Sequence, residues 1–333
     1  AANLRSADLS GGAVRRLLIA LLLLCSGGSW AACTVSTVNA SFGSVTSFAL
    51  SGTGEVETTG TLVVTCDTVL NLLTNDSVTL NYTSASVFAN SRATMKRTDN
   101  AAITDVIPTR LCGASGCGGN SEIQISKAYT WSGNTLLGLL GSRRYNIPLY
   151  FRTVMGQNVT AGPYQVLLTF SINYNVCAVG AVGACLTPQT GTATTSILLN
   201  MTVTNDCSTM TTPDVNFNSA PLVQNFPTVS QSVAVTCTKG STYTIGINNG
   251  ANALNNVRRM VSGSNFMSYD IYKEATSNRW GSSGSERWAS ASSSQVSTDG
   301  LLRTYNYTAK VLTSQATPPA GTYTDTLIVD VAF

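Results

Sequence analysis

Gly60-Thr61-Leu62-Val63-Val64-Thr65-Cys66 and Ser232-Val233-Ala234-Val235-Thr236-Cys237 are two versions of one pattern, apolar and polar residues alternating up to a cysteine. A period of two with β-branched residues is the mark of a strand with one buried face. Working outward, each version is preceded by another cysteine, Cys33 or Cys207, and then by Val38-Asn39-Ala40-Ser41-Phe42 or Val215-Asn216-Phe217. Each is followed, much later, by a Gly-aromatic opener: Ala161-Gly162-Pro163-Tyr164 before an apolar run over 167–174, and Ala320-Gly321-Thr322-Tyr323 before one over 327–333. The same order of features twice predicts two homologous domains, 33–204 and 205–333. Between them, β-branched and aromatic runs are separated by Gly, Asn, Ser and Pro, with no sustained helical period, so the fold class is all-β and each domain is expected to be an antiparallel β-sandwich.

Composition excludes several functions. The 333 residues contain no histidine, which removes His-based triads, His metal sites and imidazole acid-base chemistry. No nucleophile-base pair or carboxylate couple stands out, so no enzyme, cofactor or metal is expected. A net charge of +3, with only 11% of residues charged, offers no nucleic-acid footprint.

Arg15 and Arg16 precede an apolar run over 17–24, followed by Ser29 and Ala31 as small residues suited to cleavage. This reads as a signal peptide over 1–31 with an overlong start, and the run is too short for membrane insertion. Leu24 before Cys25 is too bulky for a lipoprotein site. Cleavage near Ala31 leaves eight cysteines bound for an oxidising compartment, which implies four disulfides. From the spacing and the repeat, the expected pairs are Cys33–Cys66, Cys207–Cys237, Cys112–Cys117 and Cys177–Cys185. The first two staple the opening strand of each domain to the next and close loops worth roughly 3 to 4 kcal/mol each; the other two close short loops nearer 2 kcal/mol.

At Tyr145-Asn146-Ile147-Pro148-Leu149-Tyr150, Gly156-Gln157-Asn158-Val159, Ala161-Gly162, Tyr269-Asp270-Ile271-Tyr272 with Trp280 beyond, and Pro319-Ala320-Gly321-Thr322-Tyr323, the chain resembles the spore coat protein U domain family, subunits of archaic chaperone-usher pili. The resemblance implies immunoglobulin-like domains that lack their last strand. It also implies three partners: a periplasmic chaperone, an outer-membrane usher and an adjacent pilus subunit that donates the strand by donor-strand exchange. In the first domain Ile197, Leu199, Met201 and Val203 alternate as a final strand should. The second stops after Leu327, Val329, Val331 and Phe333, which are expected to line an open donor-strand groove. With one or two residues before Cys33 after cleavage, nothing is left to donate, so the expected place is the pilus tip, outside the cell.

Three apolar stretches of the first domain fall where loops are expected: Val69-Leu70-Asn71-Leu72-Leu73, Leu136-Leu137-Gly138-Leu139-Leu140, and Ala178-Val179-Gly180-Ala181-Val182-Gly183-Ala184 inside the Cys177–Cys185 loop. Exposed apolar groups on a secreted protein are selected against unless they bind. Val69, Leu70, Leu72, Leu73, Leu136, Leu137, Leu139, Leu140, Val179 and Val182 are therefore the candidate residues for binding hydrophobic surfaces in cell attachment and biofilm formation. In a sandwich, the first and third stretches fall at the same end. The alternatives are a glycan-binding tip using Arg279-Trp280 and Arg287-Trp288, and a structural pilus or coat subunit without a ligand.

Overall fold

The computed structural model describes residues 33–66, 76–137, 139–141, 143–181 and 184–333. The expected signal peptide lies outside them. Among the described residues, no helix is long and apolar enough to cross a membrane.

The N-terminal unit runs through β1 (Cys33–Val38), β2 (Ala40–Thr46), helix α1 (Ser47–Ser51), β3 (Glu57–Cys66), β4 (Ser77–Ala85), β5 (Phe88–Ala89), β6 (Arg92–Arg97), β7 (Val106–Cys112), β8 (Glu122–Ile123), β9 (Ala128–Ser132), helix α2 (Gly133–Leu137), β10 (Arg144–Thr153), β11 (Gly162–Ala181) and β12 (Ala184–Thr204). The C-terminal unit contains β13 (Cys207–Thr211), β14 (Val229–Cys237), β15 (Thr244–Ile247), β16 (Arg258–Ser262), β17 (Asn265–Lys273), β18 (Trp288–Ala289), β19 (Gln295–Val296), β20 (Leu302–Val311) and β21 (Val329–Ala332). The fold is all-β, as the alternation predicts.

In the N-terminal unit one layer runs β1-β3-β10-β7 and the other β9-β4-β11-β12-β2, with β6 pairing both β7 and β11. The alternation of β10 shows why they pack: Tyr145, Ile147, Leu149 and Phe151 are all fully buried, while their neighbours face outward. They meet Leu168, Phe170 and Ile172 of β11 in one core. Most strand pairs are antiparallel, but β2 lies parallel to β12, with Ala40 opposite Leu199 and Val45 opposite Val203. The opening segment thus pairs first with β3 and then crosses to the other layer to meet β12. Ile197, Leu199, Met201 and Val203 of β12 point inward and are no more than 2% exposed. Fully burying side chains of this size is worth roughly 1.5–3 kcal/mol each.

Two expectations about loops are corrected. The strands flanking the third apolar stretch do not stop near 174 and resume near 192; β11 and β12 extend to Ala181 and from Ala184 as one long hairpin, because Cys177–Cys185 holds its arms together near the turn. Leu136, expected at the surface, is fully buried, since the one-turn helix α2 carries it into the N-terminal core.

The C-terminal unit has a layer β13-β14-β20-β17-β16 facing a small sheet β18-β15-β21. All four expected disulfides are present: Cys33–Cys66, Cys112–Cys117, Cys177–Cys185 and Cys207–Cys237. Cys33 faces Cys66 and Cys207 faces Cys237 directly across paired strands, so each bond staples a sheet edge. The units meet through polar groups: the Ser47 and Thr238 hydroxyls lie 2.7 Å apart, Lys239 Nζ stands 2.7 Å from Asp105 Oδ1, and Asn158 Nδ2 donates to the Asp299 carbonyl at 2.8 Å.

Candidate functional site: a groove and an apical end

In the C-terminal unit the residues after β13 run alongside the chain that leads into β21, and among the described residues no strand lies between them. What remains is a cavity of about 400 Å³ floored by Val233, Ile247, Met260 and Ile271 and walled by Phe217 and Leu327. A second cavity of about 430 Å³ continues it past Phe226, Met267 and Pro319, sharing Val215, Phe217, Met260 and Tyr323 with the first. An apolar trough beside unpaired strand backbone is an aggregation hazard unless something fills it.

Of the four expected groove residues, Leu327 and Val329 line the cavity. Val331 packs on the C-terminal core beside them and pairs with Ile245 of β15. Phe333 does not line it: the side chain is 62% exposed, with its ring edge-on to Tyr243 at 6.0 Å. The wall is polar at one point. Tyr269 donates its hydroxyl to Asp325 Oδ2 at 2.8 Å, and burial first, then the Asp325 hydrogen bond and charge, push its phenol far above the ordinary value, so it remains a donor. Tyr307 on the floor is pushed up to about 12, by burial and then by the charge of Asp214.

Behind β15 lies a group that pattern reading passed over. Arg258 is fully buried, donating to Asp270 Oδ1 at 2.6 Å and to the carbonyls of Ile247, Asn248 and Trp280. Asp270 also receives Arg279, which reaches Glu286 and Asn249. Every guanidinium edge of Arg258 is thus partnered, as burial of a charge requires. The sequence signal was Arg258-Arg259 just before Met260 and Val261 in a short strand.

Trp280 and Trp288, the aromatic pair of the glycan-binding alternative, are 0% and 3% exposed. Their indole N–H groups donate to the carbonyls of Ile245 and Ser292, and their rings meet edge-to-face at 5.0 Å. They are core, and offer no platform to a sugar.

At the other end of the molecule, register brings several strand ends together. Ser77 of β4 lies opposite Ser132 of β9 and Asn175 of β11, while Arg144 of β10 lies opposite Thr65 of β3. The end of β3, the starts of β4 and β10, the end of β9 and the part of β11 beyond Asn175 therefore lie at one end of the N-terminal unit. The junction with the C-terminal unit is at the other end, where β10 finishes, β11 begins and β12 leads into β13. Tyr145 donates to Asp76 Oδ2 and Tyr174 to the Cys33 carbonyl, tying this apical end together. Val69, Leu70, Leu72, Leu73 and Val182 lie outside the described residues, as do the side chains of Leu137 and Val179. Leu139 and Leu140 are half-buried against the N-terminal core. Leu186, which the sequence reading omitted, is 65% exposed on the hairpin; its place just after Cys185 was the available signal.

Two segments, 21–171 and 192–330, match the Spore Coat Protein U domain. The chain belongs to that family. The chain is similar to one in the crystal structure of the CsuC–CsuE chaperone–tip adhesion subunit pre-assembly complex from the archaic chaperone-usher Csu pili of Acinetobacter baumannii, at 27% identity and a TM-score of 0.56, covering 91% of this chain and 100% of that one. The CupB6 tip adhesin of Pseudomonas aeruginosa is similar at 11% identity and a TM-score of 0.36, covering 90% of this chain and 93% of its own. Comparison with curated protein sequences gives no match. A Spore Coat Protein U chain of this architecture is a non-enzymatic protein.

Proposed function

We propose that this Spore Coat Protein U chain is the tip adhesin of a chaperone-usher pilus, carried through the periplasm to the cell surface. The observation that carries the reading is that the place β12 occupies in the N-terminal unit is, in the C-terminal unit, an apolar groove. A periplasmic chaperone would cover the groove first. An adjacent subunit delivered to the outer-membrane usher would then fill it with an extended segment whose alternate residues are apolar, as they are in β12. The likeness to a chaperone–tip subunit complex supports this sequence of partners.

Adhesion is assigned to the apical end, through Val69, Leu70, Leu72, Leu73, Leu137, Val179 and Val182, with Leu139 and Leu140 behind them and exposed Leu186 added. Leu136 is withdrawn, being core. About 1 kcal/mol from each half-buried apolar side chain adds up to less than association can cost, roughly 4–15 kcal/mol, so single tips bind weakly and many pili act together. Contact through neutral side chains predicts attachment that changes little with salt.

A peptide with the sequence of residues 196–204, this chain's own completing strand, serves as the donor probe. At a hundred times its dissociation constant it should stabilise the C-terminal unit by about 2.7 kcal/mol. An unchanged thermal midpoint at saturating peptide overturns the reading. Replacing Leu70, Leu72, Val182 and Leu186 by serine should leave pili assembled and abolish attachment to polystyrene; persistent attachment removes the adhesion half.

A further inference from the structure

Counting from the Gly-aromatic openers aligns the two walls. Tyr164-Gln165-Val166-Leu167-Leu168 corresponds to Tyr323-Thr324-Asp325-Thr326-Leu327, so Asp325 stands where the N-terminal unit has Val166. Val166 is an ordinary core residue, 2% exposed and opposite Leu199 of β12. An acid at the matching inward position, on the wall of an apolar groove, needs an explanation.

Its partners supply one. Asp325 Oδ1 accepts from the Ala251 amide at 3.0 Å and Asn252 Nδ2 at 3.1 Å, and Oδ2 accepts from the Tyr269 hydroxyl at 2.8 Å. The Ala251 amide is shared with the Thr326 carbonyl, and Asn248 Oδ1 accepts from the Ile328 amide. At this point the chain changes partners. Thr324 exchanges backbone bonds with Val261 of β16, in one layer, whereas Ile328 and β21 pair along Asn248 and β15, in the other. Between those pairings the Asp325 carboxylate does what ladder bonds do elsewhere, fastening the wall to the turn over 248–252. Gly250 in that turn has φ +84°, and a methyl there would overlap the carboxylate, so the turn is shaped around the acid. In the N-terminal unit β12 holds the corresponding wall from the other side, and the matching fastening is Ser86, whose hydroxyl accepts from the Leu167 amide and whose amide donates to the Leu167 carbonyl, with no inward acid taking part.

We infer that Asp325 is a positioning residue for strand capture: seated in the 248–252 turn, it keeps the wall of the empty groove extended and open before a donor arrives. The inference rests on the donor-strand reading above. A wall that is ordered beforehand lowers the conformational entropy lost on binding, so removing the fastening should slow capture rather than hasten release.

The test uses the whole chain and the peptide of residues 196–204. Asp325→Val, which installs the N-terminal unit's residue, should reduce the association rate at least tenfold while changing the dissociation rate less than twofold. Asp325→Asn, which keeps an acceptor for the turn, should recover most of the rate. A purely structural role would instead lower the thermal midpoint with the association rate intact. Should Asp325→Val fail to fold, hydrogen exchange on the unaltered chain decides the matter. The Ala251 and Ile328 amides should be protected without peptide, and protection that arises only with peptide overturns the inference. Capture by Asp325→Val at the unaltered rate also overturns it, leaving the donor-strand reading standing. An unaltered chain that takes up no peptide overturns both.

Discussion

Two copies of one strand plan end differently in this molecule. In the N-terminal unit β11 is flanked on one side by β4 and on the other by β12, and its inward residues Val166, Leu168 and Phe170 are buried. In the C-terminal unit the corresponding Leu327 and Val329 are half-buried, and the wall they form leans on β15 from one side only. Burial at the first position comes from a neighbour that the chain itself supplies. At the second, no strand among the described residues covers the outer side, Asp325 and Arg258 partner the neighbouring backbone, and apolar area stays in contact with water.

The sharpest way to break that comparison is to place a charge on each wall. Phe170→Asp, at the position matching Val329, buries a carboxylate with no partner inside the N-terminal core, and should destabilise that unit by about 5 kcal/mol or more. Val329→Asp, which can turn toward the open groove, should cost roughly 1–2 kcal/mol by the same reasoning. Guanidinium unfolding read on each unit separates them; equal losses would mean that the groove is closed in solution.

A second experiment asks whether polar fastening belongs to the open unit alone. Asp270→Ala leaves the buried Arg258 cation without its carboxylate and should cost about 3–5 kcal/mol in the C-terminal transition, with the N-terminal one unmoved. Replacing the pair together, Arg258→Met with Asp270→Leu, should return most of that stability. It should nonetheless loosen the β15 carbonyls that Arg258 holds, visible as faster amide exchange in 247–248.

The smallest effect concerns the junction. Burial raises the Asp105 pKa, but the Lys239 ammonium and the Thr160 amide outweigh it, and the net shift is downward. A carboxylate held lower in the folded state contributes stability that is fully present above its unfolded value, about 3.9, and is lost as pH falls through the folded one. Below about pH 4 the two units should therefore become freer to move relative to each other, seen as a broader distance distribution between spin labels on each. Asp105→Asn should show that broadening already at pH 7 and no further change on acidification.

The closed and open units also differ in how much of each was legible beforehand. Alternation with cysteines at matched places disclosed the strands, the repeat and the two cross-strand disulfides, because a pleated strand facing a core writes its period into adjacent residues; the two short-loop disulfides came from spacing alone. Leu136 was misread for the converse reason. Five leucines interrupted by a glycine carry no period, and whether α2 turns Leu136 inward depends on the layers around it. The hairpin of β11 and β12 was read as two short strands and a loop, since Ala, Val and Gly past Asn175 look alike paired or unpaired.

By itself, then, the sequence determined the all-β class, the doubled plan, the cross-strand cysteine pairs and the inward alternation of Ile197, Leu199, Met201 and Val203. Each of these follows from residues near one another in the chain or from a pattern occurring twice. Only the tertiary structure decided that β2 runs parallel to β12, that Trp280 and Trp288 are core, that the ends of β3, β4, β9 and β10 meet at one end of the N-terminal unit, and that Arg258 and Asp325 find their partners beside the groove. Those outcomes depend on partners brought from far along the chain: Arg258 means little until the carbonyls of Ile247 and Trp280 surround it, and Asp325 is an acid on a core face until the turn over 248–252 closes on it. Hydrogen-bond satisfaction of buried polar groups is a property of the assembled fold, and no local period encodes it.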